Sequence, residues 1–503
     1  MRRPRVKIAR ERRRGNPPER VPGAPPMRAA RAGNFSLARP RGPTQHLPAR
    51  ARRSNPMTSL RSVVARLKTQ PHAPAIHDAG EIARKYGYWR VRVMYATTAG
   101  YAIFYLVRNN MSMATKAITD EFGFSNTQWG AVLGAGTIVY AFSKFLSGVV
   151  GDRANPRYLL GIALLVSALI NLAFGLAASL ACFAVLWSLN SLFQGVGVPP
   201  CTRLLTYWYS PREIGRAWGI WNASHQIGGA VIVVWAGYLV TSHGWRAAFW
   251  APAIVAVIGS FWLMNRLTDS PESMGLPPVE VYKGRAARAA DAPSVPFGRI
   301  FRRHILANRW VWVVSAANFF VYIVRIGILS WAPKYLIEAK GFTLSKAGFS
   351  LSAFEVAGIF GAYASGWLTD TVFKGRRGPV SAGFMLCLTA FVLALFAVPS
   401  GHVLTMTALF TALGFFVYGP QMLVAVAAAD FATKVASASA VGLTGLFGYL
   451  GAAFCNLATG ILVDRFGWNG ALWLYAASAM VGCALLASTW NRASPLLGGK
   501  PPG

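Results

Sequence analysis

Charge is scarce in this 503-residue sequence, and most of it has one sign. Charged residues make up 14% of the chain, whereas a soluble domain typically has about 25%. Acidic residues number 17 against 51 Lys and Arg, so the formal net charge is +34 at pH 7. Hydrophobic residues reach 54% and the mean hydropathy is +0.38. Apolar runs of roughly 20 residues recur, the length of a membrane-spanning helix, so we expect lipid to solvate much of this chain.

The sequence also lacks the residue patterns of an enzyme, a metal site or a disulfide framework. Its cysteines are odd in number, lie in apolar segments and show no metal-ligand spacing; they are Cys182, Cys201, Cys387, Cys455 and Cys483. No nucleophile–base pair and no phosphate-cradling glycine loop is present. We therefore expect no catalytic activity, no metal ion and no cofactor.

The N-terminus lacks the apolar core of a signal peptide. Residues 1–56 carry 15 Arg and one Lys against two Glu, with many prolines and no apolar periodicity. This composition is typical of disorder. Three interpretations remain open: a nucleic-acid arm, a tail on the membrane surface, or a translation start placed too far upstream. Met57 begins a more ordinary sequence, which favours the last, and nothing else in the chain suits nucleic-acid binding.

Twelve apolar segments predict an all-α membrane protein of two six-helix halves. The expected helices are roughly 90–115, 126–150, 157–178, 180–207, 213–241, 246–266, 308–337, 343–372, 378–398, 402–429, 434–463 and 468–490. The corresponding organisation is a basic, disordered extension at 1–84, a first half at 85–267, a central loop at 268–307, a second half at 308–491 and a tail at 492–503. Basic residues concentrate in the loops that follow even-numbered helices, which predicts cytoplasmic termini and a cytoplasmic central loop. The loop with Lys334, Lys340 and Lys346 fits this rule least well.

The two halves are related by an internal repeat. FYLVRNN resembles VYIVRIG, GVVGDRANPR resembles GWLTDTVFKGRR, and Gly228-Gly229 resembles Gly451-Ala452. All three matches occur at an offset of roughly 220 residues, which indicates parallel repeats of six helices. Proteins of this organisation bind their substrate near the midplane, between the halves.

Two arginines lie inside predicted spans at matching repeat positions. Arg108 is in the first span, and Arg325 is the only charge between Trp310 and Pro333. An ionisable group there costs about 2.5–3.5 kcal/mol on insertion scales. Either arginine alone could reach the membrane surface with its long side chain, but a matched pair favours a shared site at similar depth.

Paired guanidinium groups favour a phosphate ligand. Guanidinium is planar, always charged and bonds phosphate bidentately, and a phosphate monoester carries about −1.5 to −2 charge at neutral pH. Two arginines would match that charge, whereas a monovalent anion would leave excess positive charge. The same pair would oppose the return of an unloaded site through the closed state, so the residues favour exchange over uniport.

Other polar residues in the spans are candidates for the same site. Lys144 could add positive charge or pair with Glu355, and His225 could bond a phosphate oxygen or simply pack. Tyr322 shares a helix face with Arg325, and Tyr418 and Tyr449 could bond phosphate or sugar hydroxyls or close the core. Further ionisable residues in or near the spans are Asp430 and Arg203.

A glycine-rich loop motif predicts a gate. Gly148, Asp152, Arg153 and Arg157 form G-x-x-x-D-R-x-x-x-R, and the second copy includes Asp370. Glycine allows close helix approach, and the charged groups could pair and separate as the halves rock. The alternative is a positively charged membrane anchor. Glu355 is a further candidate for coupling.

Taken together, these motifs resemble the organophosphate:phosphate antiporter family of the major facilitator superfamily over about residues 85–490. The resemblance rests on YLVRNN, GFSNTQWGAVLGAG, FSKFLSGVVGDRANPR, FQGVGVPPCTRLLTYWYS, WNASHQIGG, DSPESMGLPPVEVYK, VYIVRIGILSW and GLFGYLG. It implies a rocker-switch transporter that holds phosphate with Arg108 and Arg325, with His225 at the helix-5 histidine position. The family includes glycerol-3-phosphate, hexose-phosphate and phosphoglycerate transporters and a hexose-phosphate sensor.

The chain also departs from individual members of that family. Asn109 replaces the Lys that follows the first arginine in some members, and Ser330 replaces an Asp of the glycerol-phosphate antiporter. Residues 442–453 lack the charged pair of the hexose-phosphate antiporter. Stretches such as LLTYWYS and GFFVYGPQML look closest to the sensor branch.

We therefore expect a monomeric inner-membrane antiporter that exchanges a phosphorylated metabolite for inorganic phosphate. One alternative is a transporter-like sensor that acts on a membrane histidine kinase. Another is a proton-coupled facilitator for a different anion, using Glu355 or Asp430.

Overall fold

The computed structural model describes residues 67–151, 154–210, 213–284, 305–432 and 437–492. The first half contains helices α1 (Ala79–Leu106), α2 (Asn110–Phe122), α3 (Asn126–Gly151), α4 (Pro156–Phe174), α5 (Leu180–Gly195), α6 (Val198–Trp208), α7 (Ile214–His243) and α8 (Ala247–Arg266). After a short helix α9 (Val279–Tyr282), the second half contains α10 (Arg309–Glu338), α11 (Leu344–Thr371), α12 (Arg377–Ala397), α13 (Val403–Phe431) and α14 (Ser437–Ala487). Strands are absent from these ranges, which hold one isolated antiparallel bridge between Lys68 and Ala154.

The fold class predicted from the sequence is confirmed. Ten of the described helical stretches are long and apolar enough to cross a membrane. Helix α14 counts once among them but is interrupted at Gly467, whose φ of 66° is non-helical, so it provides two spans. Helix α1 is not among the ten, and its N-terminal half carries five charged residues between Glu81 and Arg92. Helix α1 together with α2 provides the remaining span of the twelve.

Several helix bounds differ from the predicted ones. A local break in the backbone hardly changes the length of an apolar run, so the hydropathy of the sequence does not reveal it. The expected helix 90–115 begins at Ala79 and is interrupted at Val107–Asn109. The expected helix 180–207 is interrupted between Gly195 and Val198, where Pro199 cannot donate the backbone hydrogen bond that would continue the helix.

The last part of the predicted N-terminal extension is ordered. Residues 1–66 lie outside the described ranges, but the segment from Leu67 to α1 packs on the first half. Gln70 donates its backbone N–H to Asp269 Oδ2 at 2.9 Å, and Arg203 Nη2 donates to Asp269 Oδ1 at 2.9 Å. Burial raises the pKa of Asp269, against the opposing effects of Gln70 and Arg203. Thus Asp269, which begins DSPESMG, links the extension to the first half.

Glycines allow the two halves to meet closely at one end of the bundle. A methyl group added at Gly130 of α3 would lie 2.4 Å from the carbonyl oxygen of Asn456 in α14. One added at Gly460 would lie 2.2 Å from the carbonyl oxygen of Asn126. Helices α7 and α11 make a similar approach at Gly348, where the added atom would lie 2.7 Å from the carbonyl oxygen of Val233. Side chains larger than glycine would separate these backbones.

Polar contacts join the halves at the same end. Asp464 of α14 accepts hydrogen bonds from the backbone N–H groups of Asn126 at 3.1 Å and Thr127 at 2.7 Å, at the start of α3. Lys334 of α10 donates to Asn126 Oδ1 at 2.6 Å, and Lys116 of α2 pairs with Glu338 at 3.6 Å. This end is therefore closed by hydrogen bonds as well as by packing.

Candidate functional site

The break between α1 and α2 positions Arg108. At Val107–Asn109 the backbone leaves the helix, and freed carbonyl groups need partners inside a membrane. Gln194 Nε2 donates to the Phe104 carbonyl at 3.2 Å, while Asn171 and Asn190 donate to the Val107 carbonyl at 3.1 and 3.0 Å. Amides from α4 and α5 thus stabilise the break, and the break holds Arg108 at the surface of an internal cavity.

Arg108 is held by aromatic faces. Its Cζ lies 4.1 Å from the ring centroid of Tyr140 and 5.5 Å from that of Tyr105. These cation–π contacts orient the guanidinium group while leaving its N–H donors uncommitted. We find no side-chain hydrogen bond or ion pair from Arg108 to another residue in the described ranges.

Arg325 lies in the middle of α10 and is connected to Glu355. Its Nη2 donates to Tyr418 OH at 3.4 Å, and Tyr418 OH donates to Glu355 Oε2 at 2.6 Å. Both charged residues are buried, with exposed fractions of 7% for Arg325 and 1% for Glu355. Arg325 Nε and Glu355 Oε1 have no hydrogen-bond partner among the described residues.

Both arginines line one cavity of about 100 Å³ between the halves. A buried water needs about 10–15 Å³ measured in this way, so the cavity has room for a small polar molecule. Its wall also includes Ser330 and Tyr449. The matched repeat positions are therefore brought together around a single space.

The other predicted site residues surround this cavity at different distances. Tyr449 lines it and accepts a hydrogen bond from Lys144 Nζ at 3.4 Å. Tyr322 packs edge-on against Tyr449 at 5.4 Å, and its ring centroid lies 5.7 Å from Arg325 Cζ. Tyr418 lies behind Arg325, between that arginine and Glu355.

Two interpretations of polar residues differ from the structure. The pairing considered for Lys144 and Glu355 is wrong, because Lys144 bonds Tyr449 and Glu355 bonds Tyr418. His225 does not line the cavity in this conformation. Its Nδ1 bonds the carbonyl of Asn222 at 2.8 Å, and its ring packs 4.8 Å from that of Tyr101. Phosphate contact by His225 would require these aromatic neighbours to move.

The predicted gating motif is described only in part. Asp152 and Arg153 lie outside the described residues. Arg157 donates its Nε–H to the Met264 carbonyl at the end of α8, within the first half. Asp370 is exposed near the end of α11.

The membrane-embedded charge Asp430 has a partner that the sequence did not reveal. It accepts a hydrogen bond from Arg377 Nε at 2.5 Å, at the start of α12. Arg377 ends the second copy of the loop motif, so this copy forms an ion pair with a buried aspartate within the second half.

Sequence reasoning missed the uncharged polar wall of the cavity. Tyr105, Tyr140, Asn190, Gln194 and Asn456 line it, but none is charged. Their signal in the sequence was weak, because single amides and tyrosines are common in apolar helices. The amides at 171, 190 and 194 could have been noticed as three large polar side chains in predicted spans.

The charges around the cavity suit a divalent anion. Arg108, Arg325 and Lys144 contribute three positive charges, and an ionised Glu355 offsets one. Two positive charges remain, with uncommitted N–H donors on both arginines. Such an arrangement can bind a phosphate group through charge-assisted hydrogen bonds.

Comparison with known proteins identifies the family of this chain. The sequence profile of the Major Facilitator Superfamily matches residues 97–454. A "Probable hexose phosphate transport protein" of Chlamydia pneumoniae is 38% identical over 434 residues, covering 84% of this chain and 95% of the relative. The glycerol-3-phosphate transporter of Bacillus subtilis is 38% identical over 436 residues, covering 84% and 97%.

A sensor and a solved structure extend the comparison. The membrane sensor protein UhpC of Escherichia coli is 36% identical over 433 residues, covering 85% of this chain and 98% of the sensor. A bacterial homologue of the human lysosomal transporter Spinster, in an inward-facing and unoccupied conformation, has the same fold with a TM-score of 0.65 at 18% identity, covering 80% of this chain and 95% of that chain. The chain belongs to the Major Facilitator Superfamily, in the group that contains these hexose-phosphate and glycerol-3-phosphate transporters and the sensor UhpC.

Proposed function

We propose that this protein carries phosphorylated small metabolites across the membrane in exchange for inorganic phosphate. The substrate class is a sugar phosphate, glycerol-3-phosphate or phosphoglycerate. One observation carries the proposal: Arg108 and Arg325, from equivalent helices of the two halves, line the same cavity, and no carboxylate among the described residues bonds their N–H donors directly. The names of the relatives point to the same substrate class.

Exchange follows from the charge of the site. With a bound phosphate dianion, the charges of Arg108, Arg325, Lys144 and Glu355 are balanced. Without an anion, closing the cavity would desolvate uncompensated cations, which is costly at low dielectric. The loaded forms therefore change conformation readily, and the unloaded form does not. Either an organophosphate or inorganic phosphate satisfies this requirement.

A rocker-switch motion would alternate access to the cavity. The glycine contacts and the bonds of Asp464 close one end in this conformation, and rocking would break them while closing the other end. We propose that the loop motif with Asp152, Arg153, Arg157 and Asp370 acts as the second gate and that Glu355 couples ligand charge to the motion. Two-sided gating around a central site is the mechanism expected for paired six-helix repeats.

The protein is proposed to lie in the inner membrane as a monomer, with both termini in the cytoplasm. The basic loop residues support this orientation. The loop that contains Lys334 and Lys340 fits the positive-inside rule least well, but both lysines have partners within the protein. Lys334 bonds the other half, and Lys340 donates to the carbonyls of Leu395 and Val398 at 3.0 and 2.6 Å, where it caps the end of α12. Internal partners thus account for both cations.

A sensor of hexose phosphate, acting on a histidine kinase, is the second candidate. The similarity to UhpC over 98% of that sensor favours it. Proteoliposomes loaded with phosphate distinguish the two functions. Accumulation of labelled glucose-6-phosphate supports transport, whereas binding without accumulation supports the sensor. Uptake that persists without internal phosphate and collapses with a protonophore would instead support a proton-coupled facilitator.

The arginine pair is tested by phosphate exchange in proteoliposomes containing the wild type, Arg108→Lys or Arg325→Lys. Lysine keeps the charge but loses the bidentate fork, so we expect exchange to fall at least about tenfold, as for losing one charge-assisted hydrogen bond. Arg246→Lys is the matched control, because Arg246 pairs with Glu121 at the surface, 2.8 Å away. Exchange near the control rate in both variants would refute the two-arginine site.

A further inference from the structure

Asn456 occupies the uncharged part of the cavity wall. It lies on α14, seven residues after Tyr449, which is about 10 Å along a helix. The side chain is 2% exposed and lines the same cavity as Arg108 and Arg325. The neighbouring wall is formed by Thr137 of α3, one turn before Tyr140. This region has polar atoms but no charge of its own.

The hydrogen bonds around Asn456 determine which atom remains without a partner. Thr137 Oγ1 donates to the Leu133 carbonyl at 2.8 Å, so its oxygen can only accept a second bond. Asn456 Nδ2 supplies that bond at 3.2 Å. This network assigns the amide orientation and leaves Asn456 Oδ1 without a partner in the described chain. The oxygen is itself buried, in a residue that lines the cavity, and such an acceptor is satisfied best by an O–H or N–H group of a ligand that reaches it from the cavity.

We propose that Asn456 Oδ1 accepts a hydrogen bond from a hydroxyl group of a phosphorylated sugar or polyol whose phosphate lies on Arg108 and Arg325. The inference rests on the proposed function and deepens it, because it names a residue that binds the organophosphate but not inorganic phosphate. Inorganic phosphate engages the arginine end alone. An organophosphate spans from the arginines to Asn456 and gains one additional hydrogen bond.

Thr137 acts as a positioning residue in this arrangement. It belongs to the first half and Asn456 to the second, so their hydrogen bond crosses the interface that must open during rocking. The orientation of Asn456 Oδ1 toward a hydroxyl therefore depends on contact between α3 and α14. Hydroxyl recognition would be strongest in conformations that keep this end closed.

The test measures binding by titration calorimetry on the full-length protein, so it applies to a transporter and to a sensor alike. The ligands are inorganic phosphate, glucose-6-phosphate, glycerol-3-phosphate and the deoxy analogues of the tighter organophosphate, each lacking one hydroxyl. For the wild type, we expect one deoxy analogue to bind about 3- to 10-fold more weakly than its parent, as for loss of one neutral hydrogen bond. Asn456→Leu should lower the affinity for the organophosphate relative to phosphate by a similar factor and should bind that analogue and its parent equally.

Asn318→Leu is the matched control. Asn318 is also a buried amide whose Nδ2 bonds a neighbouring helix, at 2.8 Å from the Thr444 carbonyl. Its Oδ1 has no partner among the described residues, but Asn318 does not line the cavity. Asn318→Leu should keep the wild-type ratio of organophosphate affinity to phosphate affinity. If Asn456→Leu does not fold, the analogue series on the wild type decides alone.

The possible negative results distinguish a failure of the role of Asn456 from a failure of the proposed function. Equal binding of every deoxy analogue and its parent by the wild type would overturn the role of Asn456 and leave the proposed function intact. An equal loss of affinity for phosphate and organophosphate in Asn456→Leu would do the same, because it would indicate a structural role. Absence of binding of both phosphate and organophosphates to the wild type would overturn the proposed function and the inference together.

Discussion

Asp464 in the second half accepts two hydrogen bonds from Thr127 in the first half, with Oδ2 at 2.7 Å from the backbone nitrogen and 2.6 Å from the hydroxyl oxygen. Asp464 thereby caps the start of α3 from a different half of the molecule. A carboxylate at a helix N-terminus also interacts favourably with the helix dipole. The cap exists only while this end is closed, so it stabilises one conformation of the protein over the other.

Replacement of Asp464 should shift that balance. Loss of an N-cap costs about 0.5–2 kcal/mol, so Asp464→Ala should populate the conformation open at this end about 2- to 30-fold more. Labelling of an introduced Ser330→Cys by a membrane-impermeant thiol reagent, added from the Asp464 side, should accelerate accordingly. Asp78→Ala is the control, because Asp78 caps the start of its own helix α1 by accepting the backbone N–H of Glu81 at 2.6 Å. Unchanged labelling in Asp464→Ala would argue against the cap as a conformational determinant.

The glycine contacts should be needed for the same closure. In Gly460→Ala the new Cβ would lie 2.2 Å from the backbone oxygen of Asn126, an atom that cannot rotate away. We expect this variant to fold, to resist closure and to lose most exchange activity. Gly442→Ala on the same helix is the matched control, because no atom of another described helix lies within 4 Å of its added Cβ. Comparable exchange rates in the two variants would contradict the steric argument.

The contacts of Glu355 predict opposite effects on binding and exchange. Glu355→Gln removes the negative charge that reaches Arg325 through Tyr418. The cavity becomes more positive, so phosphate should bind more tightly and leave more slowly. Calorimetry should show a lower dissociation constant, and proteoliposomes should show slower exchange. Tyr418→Phe, which interrupts the connection while keeping the carboxylate, should change phosphate affinity less, and an equal or larger change would contradict this charge-based account.

Stability should depend on pH through Glu213, at the loop before α7. Burial opposes ionisation, but hydrogen bonds from Ser210 and ion pairs with Arg90 and Lys283 lower the pKa of Glu213 from 4.5 to about 2. A carboxyl whose pKa is lowered by folding stabilises the fold above its unfolded pKa, and this stabilisation is lost as the pH falls. The melting temperature of Glu213→Gln should lie below that of the wild type at pH 7, and the difference should shrink between about pH 4.5 and pH 2. A constant difference across that range would show that the charge is not responsible.

Much of the fold followed from local patterns in the sequence. Twelve apolar runs and repeated motifs such as VYIVRIG predicted two six-helix halves, because apolar length and helical periodicity are properties of consecutive residues. Arg108 and Arg325 were prominent for the same reason, since a charge in an apolar run is visible in the sequence alone. The long-range partners of these residues were much harder to predict.

The position of Arg108 depends on a helix break that the sequence alone does not predict. The first helix was expected to be continuous, yet it breaks at Val107–Asn109 because Asn171, Asn190 and Gln194 supply hydrogen bonds from other helices. Nothing in the stretch YLVRNN requires those partners. Likewise, Lys144 and Glu355 looked like a pair by charge, but each is closer to a tyrosine in the folded protein.

The sequence by itself therefore determined that the chain is a membrane bundle with two embedded arginines, since hydrophobic length and charge are local quantities. Only the tertiary structure decided that the arginines share one cavity, that Asp464 closes one end, and that Asn456 Oδ1 has no partner in the part of the chain that the structure describes. These features depend on which polar groups satisfy one another across helices, and in an apolar environment each unmet hydrogen bond carries a large cost.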